Sequence, residues 1–330
     1  MQEINLDFIS KYRSAFMGLA IFWIFFYHTG IEFPGLRELF ALGWMGVDIF
    51  FFVSGYGLCA SLTKHDSIKN FYGRRFKRII PTWWLILATM AVIGTTASLK
   101  GFPTTWTDLF YWFTGLGWWT DNCYFEWYIP TLLAFYLLAP LLAKQTIQTL
   151  IIAIIAAIIA AITLGGGNCP ALDHIYMSYS RIPIYIFGFL LYKVKAHHTN
   201  IKVNHWLPFC IIGLIWFAIG MYIKNFHIAF GLTIARTAIP LFIVPMLSIT
   251  GWLIGKCRPI ETILTFMGLI SLEMYLLHIN HEFSKAIESS ILSGVHSDFI
   301  KIVWFALVLS GAWILHHTIN WVTQIRKTPN

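Results

Sequence analysis

Four ionisable residues stand inside long apolar runs of this chain: His28, Asp48, Arg236 and Glu273, with His278 five positions beyond the last. Insertion scales put the cost of such a group near the middle of a span at about 2.5–3.5 kcal/mol, so each is a candidate for chemistry. His28 lies about five residues inside one end of the run 14–33. Asp48 lies about nine residues inside the facing end of the returning run 39–62. At ~1.5 Å per residue both sit within roughly 6 Å in depth. A carboxylate there could hold the imidazole in one tautomer and stabilise its protonated form, as a general base requires. The same pair also fits a plain lock between two helices. Glu273 falls near the centre of the run 262–283, with His278 about 7.5 Å nearer the outer face; helix packing is again the alternative reading.

A second constellation is NFYGRRFKRIIP, in which Arg74, Arg75 and Arg78 are interleaved with Tyr72 and Phe76. Guanidinium groups pair bidentately with phosphate oxygens, so the cluster could hold several phosphates. A cluster that merely fixes membrane orientation would read the same way. No metal site is expected: Cys59, Cys123, Cys169, Cys210 and Cys257 show no CxxC spacing, and the adjacent pairs His197–His198 and His316–His317 do not face one way on a helix. Phosphate-loop, GxSxG and GxGxxG motifs are absent.

The elements that must position these groups follow from composition. Of 330 residues, 58% are hydrophobic and only 12% charged, against roughly 25% in a soluble domain. The net charge of +8 alternates with apolar runs instead of forming a basic surface, which points away from nucleic acid and toward a membrane. Runs near the ~20 residues of a span occur at 14–33, 39–62, 79–97, 127–143, 147–164, 181–192, 206–223, 229–254, 262–283 and 300–322. The expected fold is an all-α polytopic membrane protein, a single domain over 1–330 with about ten transmembrane helices. The first run is too long for a cleaved signal peptide and lacks a small-residue cleavage site.

Placing the basic stretch 64–78 in the cytoplasm puts sixteen Lys and Arg residues inside and six outside, with Arg236 within a span. Both termini are then cytoplasmic. The stretch WTDLFYWFTGLGWW (106–119) is short and broken by two glycines, and counting it as a span would invert every later loop. It reads as a re-entrant or interfacial aromatic segment on the outer side. Pro81 and Pro183 are expected in first turns, and Gly165 at the end of a span. The Ala/Ile-rich run 151–162 reads as a lipid-facing or packing helix. Cys123 and Cys169 fall in outer loops, where an oxidising exterior would permit a bridge.

Taken in order, these blocks resemble the membrane acyltransferases of the family 3 type, which O-acylate bacterial cell-surface polysaccharides. MGLAIFWIFFYH (17–28) resembles the family's first-span block, GVDIFFFVSGYGL (46–58) its Asp-bearing second-span block, and FYGRRFKRIIPTWWL (71–85) its Arg-rich block. WYIPTLLAFYLLAPLL (127–142), SRIPIYIFG (180–188) and ISLEMYLLH (270–278) are similar to the fourth, sixth and ninth. The resemblance implies His28 as the essential histidine, Asp48 as its aspartate, and Arg74, Arg75 and Arg78, with Tyr72, at the acyl donor. Arg13, Trp127, Tyr128, Arg181, Arg236, Glu273 and His278 become acceptor-binding or supporting residues, with Arg236 steadying the oxyanion. The outer aromatics Trp106, Trp112, Trp118, Trp119, Trp127 and Tyr128 suit stacking on sugar rings, although an ordinary aromatic belt explains them as well.

The implied co-substrate is acyl-CoA, acetyl-CoA first, with no permanently bound cofactor. The implied partners are membrane lipid and a glycan acceptor, and the implied location is the bacterial cytoplasmic (inner) membrane. Two departures stand out. The family's spacing of Arg, ten residues and His falls on Met17, and Arg13, one turn earlier and about 40° off the same face, is the candidate substitute. The family's paired glutamates fall on Leu132 and Leu133, so any role tied to them is missing or has passed to Glu126 or Asp121, which implies a side branch with a different acceptor. Two rival classes remain: a glycan transporter or flippase using buried His, Asp and Glu as a proton relay, and a membrane scaffold whose buried groups pin helices.

Overall fold

The computed structural model describes residues 3–30, 35–64, 67–96, 103, 105–120, 127–165, 169–279 and 297–325. Helix dominates, with one antiparallel ladder between β1 (Glu3–Asn5) and β2 (Asn200–Lys202) that pairs Ile4 with Ile201. After α1 (Asp7–Lys11) come α2 (Arg13–Thr29), α3 (Arg37–Ala41), α4 (Met45–Lys64) and α5 (Ile68–Thr96). The aromatic stretch forms α6 (Trp106–Thr114) and α7 (Leu116–Trp119), followed by α8 (Tyr128–Lys144) and α9 (Ile147–Leu164). The short turns α10 (Pro170–Asp173) and α11 (Tyr176–Tyr179) lead to α12 (Ile182–His197). Beyond β2 lie α13 (Val203–Ile223), α14 (Ile228–Lys256), α15 (Arg258–Leu269), α16 (Ser271–His278) and α17 (Ser297–Ile325).

Among the described residues, six helices are long and apolar enough to cross a membrane, α4, α5, α9, α13, α14 and α17, or seven if the bent pair α15–α16 is one span. The expected ten are not reached. The other three segments fold as α2, α8 and α12, of 17, 17 and 16 residues. At ~1.5 Å per residue these are about 24–26 Å long, short of the ~30 Å hydrocarbon core. The multi-pass membrane class holds on the surface as well. Ile151, Ile152, Ile155 and Ile159 of α9 and Leu207, Ile211, Leu214 and Ile215 of α13 all point outward, an arrangement that lipid accepts and water does not.

Expectations change at two elements, and a third element, the aromatic stretch, does not span, as expected. The arginine stretch is no loop: α5 runs unbroken through it, 29 residues long with Pro81 in its interior instead of its first turn. At about 43 Å, α5 exceeds the hydrocarbon thickness, so one end extends beyond it. The run 262–283 is no continuous span either, because α15 and α16 meet at Ile270 with a 68° bend. Glu273 therefore sits in the first turn of α16. Ile270 is 1% exposed, and such breaks at membrane depth are tolerated only inside protein. Finally, Gly115, at φ 71°, splits the aromatic stretch into helices of 9 and 4 residues, neither able to span. Pro183 and Gly165 stand where expected, at the start of α12 and the end of α9.

The core is built around α2 and α4. Every residue of α4 from Met45 to Val53 is buried, the mark of a helix apolar on all sides. Against α2 lies α15, at a contact where Gly18 faces the Leu264 carbonyl and Gly268 the Ser14 carbonyl so closely that a methyl on either glycine would overlap backbone. Small residues permit this approach of backbones in membrane bundles. Cys123 lies outside the described residues, and Cys169 precedes α10.

Candidate functional site

The α5 helix carries Arg74, Arg75 and Arg78 to the wall of a cavity of about 400 Å³. Arg74 and Arg78, four apart, share a helix face. Arg13 and Met17 of α2 line the same cavity, with Ser54, Leu132, Tyr128, Tyr136, Tyr275 and His316. The substitute arginine and the position it replaces thus front one space. Among the described residues no carboxylate lines the cavity, so four guanidinium-bearing side chains share it. Arg75 packs over the rings of Phe71 and Tyr136, at 5.7 and 6.0 Å. Tyr72 does not line the cavity; its hydroxyl donates to the Leu137 carbonyl at 3.3 Å and its ring stacks on Phe76. The α5 face that bears Tyr72 is turned to α8.

Behind this wall, Glu273 is 2% exposed. Its Oε1 lies 2.9 Å from Nδ1 of His316, and its Oε2 lies 3.9 Å from Arg78 Nη2. Arg78 Nη2 also donates to the Leu269 carbonyl at 2.7 Å. His316 had no assigned chemistry. The signal was the adjacent histidines themselves: because neighbours diverge on a helix, His316 turns to Glu273 while His317 turns to the Trp313 carbonyl.

Tyr275 is also part of the lining, and its ring lies 4.7 Å from that of Tyr128 and 5.6 Å from that of His278. His278 is buried, and its Nε2 stands 3.0 Å from Nδ1 of His28. His28 occupies the last turn of α2, which Gly30 closes in the left-handed conformation, φ 62°, donating to the Phe26 carbonyl. Glycine reaches that conformation without a Cβ penalty.

The His28–Asp48 pair is not formed. Both Asp48 carboxylate oxygens lack a hydrogen-bond partner, and Oδ1 lies 3.4 Å from Arg181 Nε. The cause is helix register. Gly43, just before α4, abuts the Trp23 carbonyl, and Gly46 within it abuts the Ala20 carbonyl, so the antiparallel pairing levels Asp48 with residues near Ala20, roughly 12 Å in depth from His28. Asp48 sits in the first turn of α4, where the helix dipole favours a carboxylate.

Arg181 stacks over Trp127 at 4.6 Å and donates to the Met177 carbonyl. Arg236 lies over Trp44 and Tyr176, at 5.3 and 5.2 Å, and reaches Ser180 Oγ at 3.4 Å. Tyr27, next to His28, is within Coulombic range of both guanidinium groups. Two buried arginines and one carboxylate therefore form a second centre, its guanidinium groups within electrostatic reach of Tyr27.

The expected sugar-stacking platform does not assemble. Trp112, Trp118, Trp127 and Tyr128 are buried, leaving Trp106 and Trp119 exposed. The Trp118 indole donates to Ser178 Oγ inside the core. Packing against α8 and α11 removes these rings from solvent. Asp121 and Glu126 lie outside the described residues.

Residues 16–325 match the family model of the acyltransferase domain, family 3. No curated protein and no solved structure matches the chain. With nearly the whole chain inside that model, and with the histidine, aspartate and arginine blocks in the helices described above, the protein belongs to the membrane acyltransferases of family 3.

Proposed function

We propose that the protein transfers an acyl group, acetyl first among candidates, from cytoplasmic acyl-CoA to a hydroxyl of a cell-surface polysaccharide or lipid-linked glycan in the bacterial cytoplasmic membrane. The observation that carries this reading is the cavity: among the described residues four arginines and no carboxylate line it, and its lining includes Tyr275, whose ring packs against His278, the partner of His28. A CoA head with several phosphate charges cannot enter hydrocarbon. The arginines supply charge-assisted, bidentate partners for it, and the narrow pantetheine arm extends toward the tyrosines. Along α2 the 15 residues from Arg13 to His28 rise about 22 Å, which separates the phosphate end from the reacting end.

His28 takes the proton of the acceptor hydroxyl. The alkoxide oxygen bonds to the thioester carbonyl carbon, the carbon–sulfur bond breaks, and the departing thiolate takes up a proton. The Arg181–Arg236 centre lies on the acceptor side, beside Tyr27, where fixed cations steady negative charge.

The test uses purified protein in lipid discs, following release of free CoA thiol from acetyl-CoA with candidate glycans present. Thiol release that depends on both glycan and His28 is the expected result. Glycan translocation without thiol release would replace the enzyme reading with the transporter.

A further inference from the structure

His278 accepts a proton-bearing nitrogen on one side and donates on the other, and the two contacts together fix the protons of His28. The Nδ1 of His278 lies 2.9 Å from the Met274 carbonyl. A carbonyl oxygen only accepts, so this Nδ1 carries hydrogen. In the neutral ring the other nitrogen, Nε2, then holds a lone pair. That lone pair faces His28 Nδ1 at 3.0 Å, so His28 Nδ1 must donate. The arrangement with a charged His278 would bury a cation at 4% exposure against the ring of Phe25, 5.6 Å away, a costly alternative.

We infer that His278, not Asp48, is the positioning residue for the catalytic base: it holds His28 in the Nδ1–H tautomer, so that Nε2 of His28 is the nitrogen that takes the acceptor proton. The inference rests on the proposed role of His28. When Nε2 of His28 gains that proton, the Nδ1–H bond to His278 becomes charge-assisted and shorter. The positive charge then spreads over two imidazoles that end on the Met274 carbonyl. Neither Glu273 nor Asp48 is the partner of this pair, since Glu273 is engaged with His316 and Asp48 with Arg181. A relay of two rings is set by the backbone of α16, because the accepting carbonyl lies one turn before His278 on the same helix.

Two measurements test this. The first is nitrogen NMR on protein labelled in its histidine rings and held in lipid discs, with His28 assigned by loss of its signals in His28→Gln. The expected result is a protonated Nδ1 and an unprotonated Nε2, and a mixture or the Nε2–H form in His278→Leu. The second is kinetic. His278→Leu should lower kcat about 10–10²-fold, below the ~10²–10⁴ expected of the base itself, with KM for acyl-CoA unchanged. His278→Gln should recover most of that loss, because its side-chain carbonyl can accept from His28 where Nε2 does. An Nε2–H tautomer in the unaltered protein, or an unchanged kcat in a folded His278→Leu protein, overturns the assignment. The tautomer measurement needs no acyl transfer, so a protein that shows the expected tautomer but releases no thiol would refute the proposed activity and leave the pairing standing.

Discussion

Arg78 bonds to the carbonyl of Leu269 at the point where α15 stops and the chain turns through 68° into α16. A carbonyl at a helix end has no partner within its own helix, and here a guanidinium from α5 supplies one. Arg78 is therefore both part of the arginine wall and a brace on the helix that carries Glu273, Tyr275 and His278.

The arginines should differ in kinetic signature for this reason. Arg74→Ala is expected to raise the KM for acyl-CoA about tenfold or more, in line with the loss of one charged hydrogen bond, and to leave kcat within about twofold. The dependence of KM on ionic strength should become shallower by one charge. Arg78→Ala should also lower kcat and thermal stability, because it releases the α15–α16 bend. Identical effects of the two substitutions would show that the brace does not matter.

Loss of the base is the most direct check on the chemistry. His28→Ala should reduce acyl transfer by about 10²–10⁴-fold while thermal unfolding in detergent stays close to that of the unaltered protein. A folded His28→Ala protein with near-normal turnover would end the general-base mechanism.

Asp48 should behave as a structural charge. Its carboxylate and Arg181 are 0% and 1% exposed, and removing one partner of a buried pair typically costs about 3–5 kcal/mol. Asp48→Ala should therefore fall sharply in thermal stability and yield. The double replacement Asp48→Leu with Arg181→Met should regain much of that stability, since well-packed apolar side chains often replace a buried pair at little cost. A stable but inactive Asp48→Ala protein would instead argue for a direct part in catalysis.

Gly268→Ala tests the seating of α15. Its methyl would meet the Ser14 carbonyl, and overpacking of this kind costs about 1–3 kcal/mol. A lower unfolding temperature is expected, together with reduced kcat as α16 and His278 shift from His28.

How much of this the sequence carries depends on which force sets each feature. Hydropathy located α9 to the residue, at 147–164, because a run of Ile and Ala bounded by a Thr cap and glycines leaves no alternative. Charge misled for Arg74, Arg75 and Arg78: a basic cluster reads as a loop, yet Lys, Arg and Asn permit helix, and α5 continues through it. The depth of Asp48 is set by contacts of Gly43, before α4, and Gly46, within it, with α2, which are pairwise and leave no trace in either segment alone. The bend at Ile270 has no proline to announce it. Residue types thus singled out His28, His278 and the arginines as candidates, while their contacts came from register.

The ladder between β1 and β2 sets an order of assembly. Glu3 bonds opposite Lys202, so the first strand made waits for nearly two-thirds of the chain before its partner exists. At ~5–20 residues per second of synthesis the wait is about 10–40 s. During that interval α2 and α4 can already associate through their glycine contacts, whereas β1 cannot close until α12 has been inserted and the connection to α13 has been made. The pairing is thus a late latch in biogenesis: it fastens the segment leading into the His28 helix only after the arginine helix and the Asp48–Arg181 pair are in place.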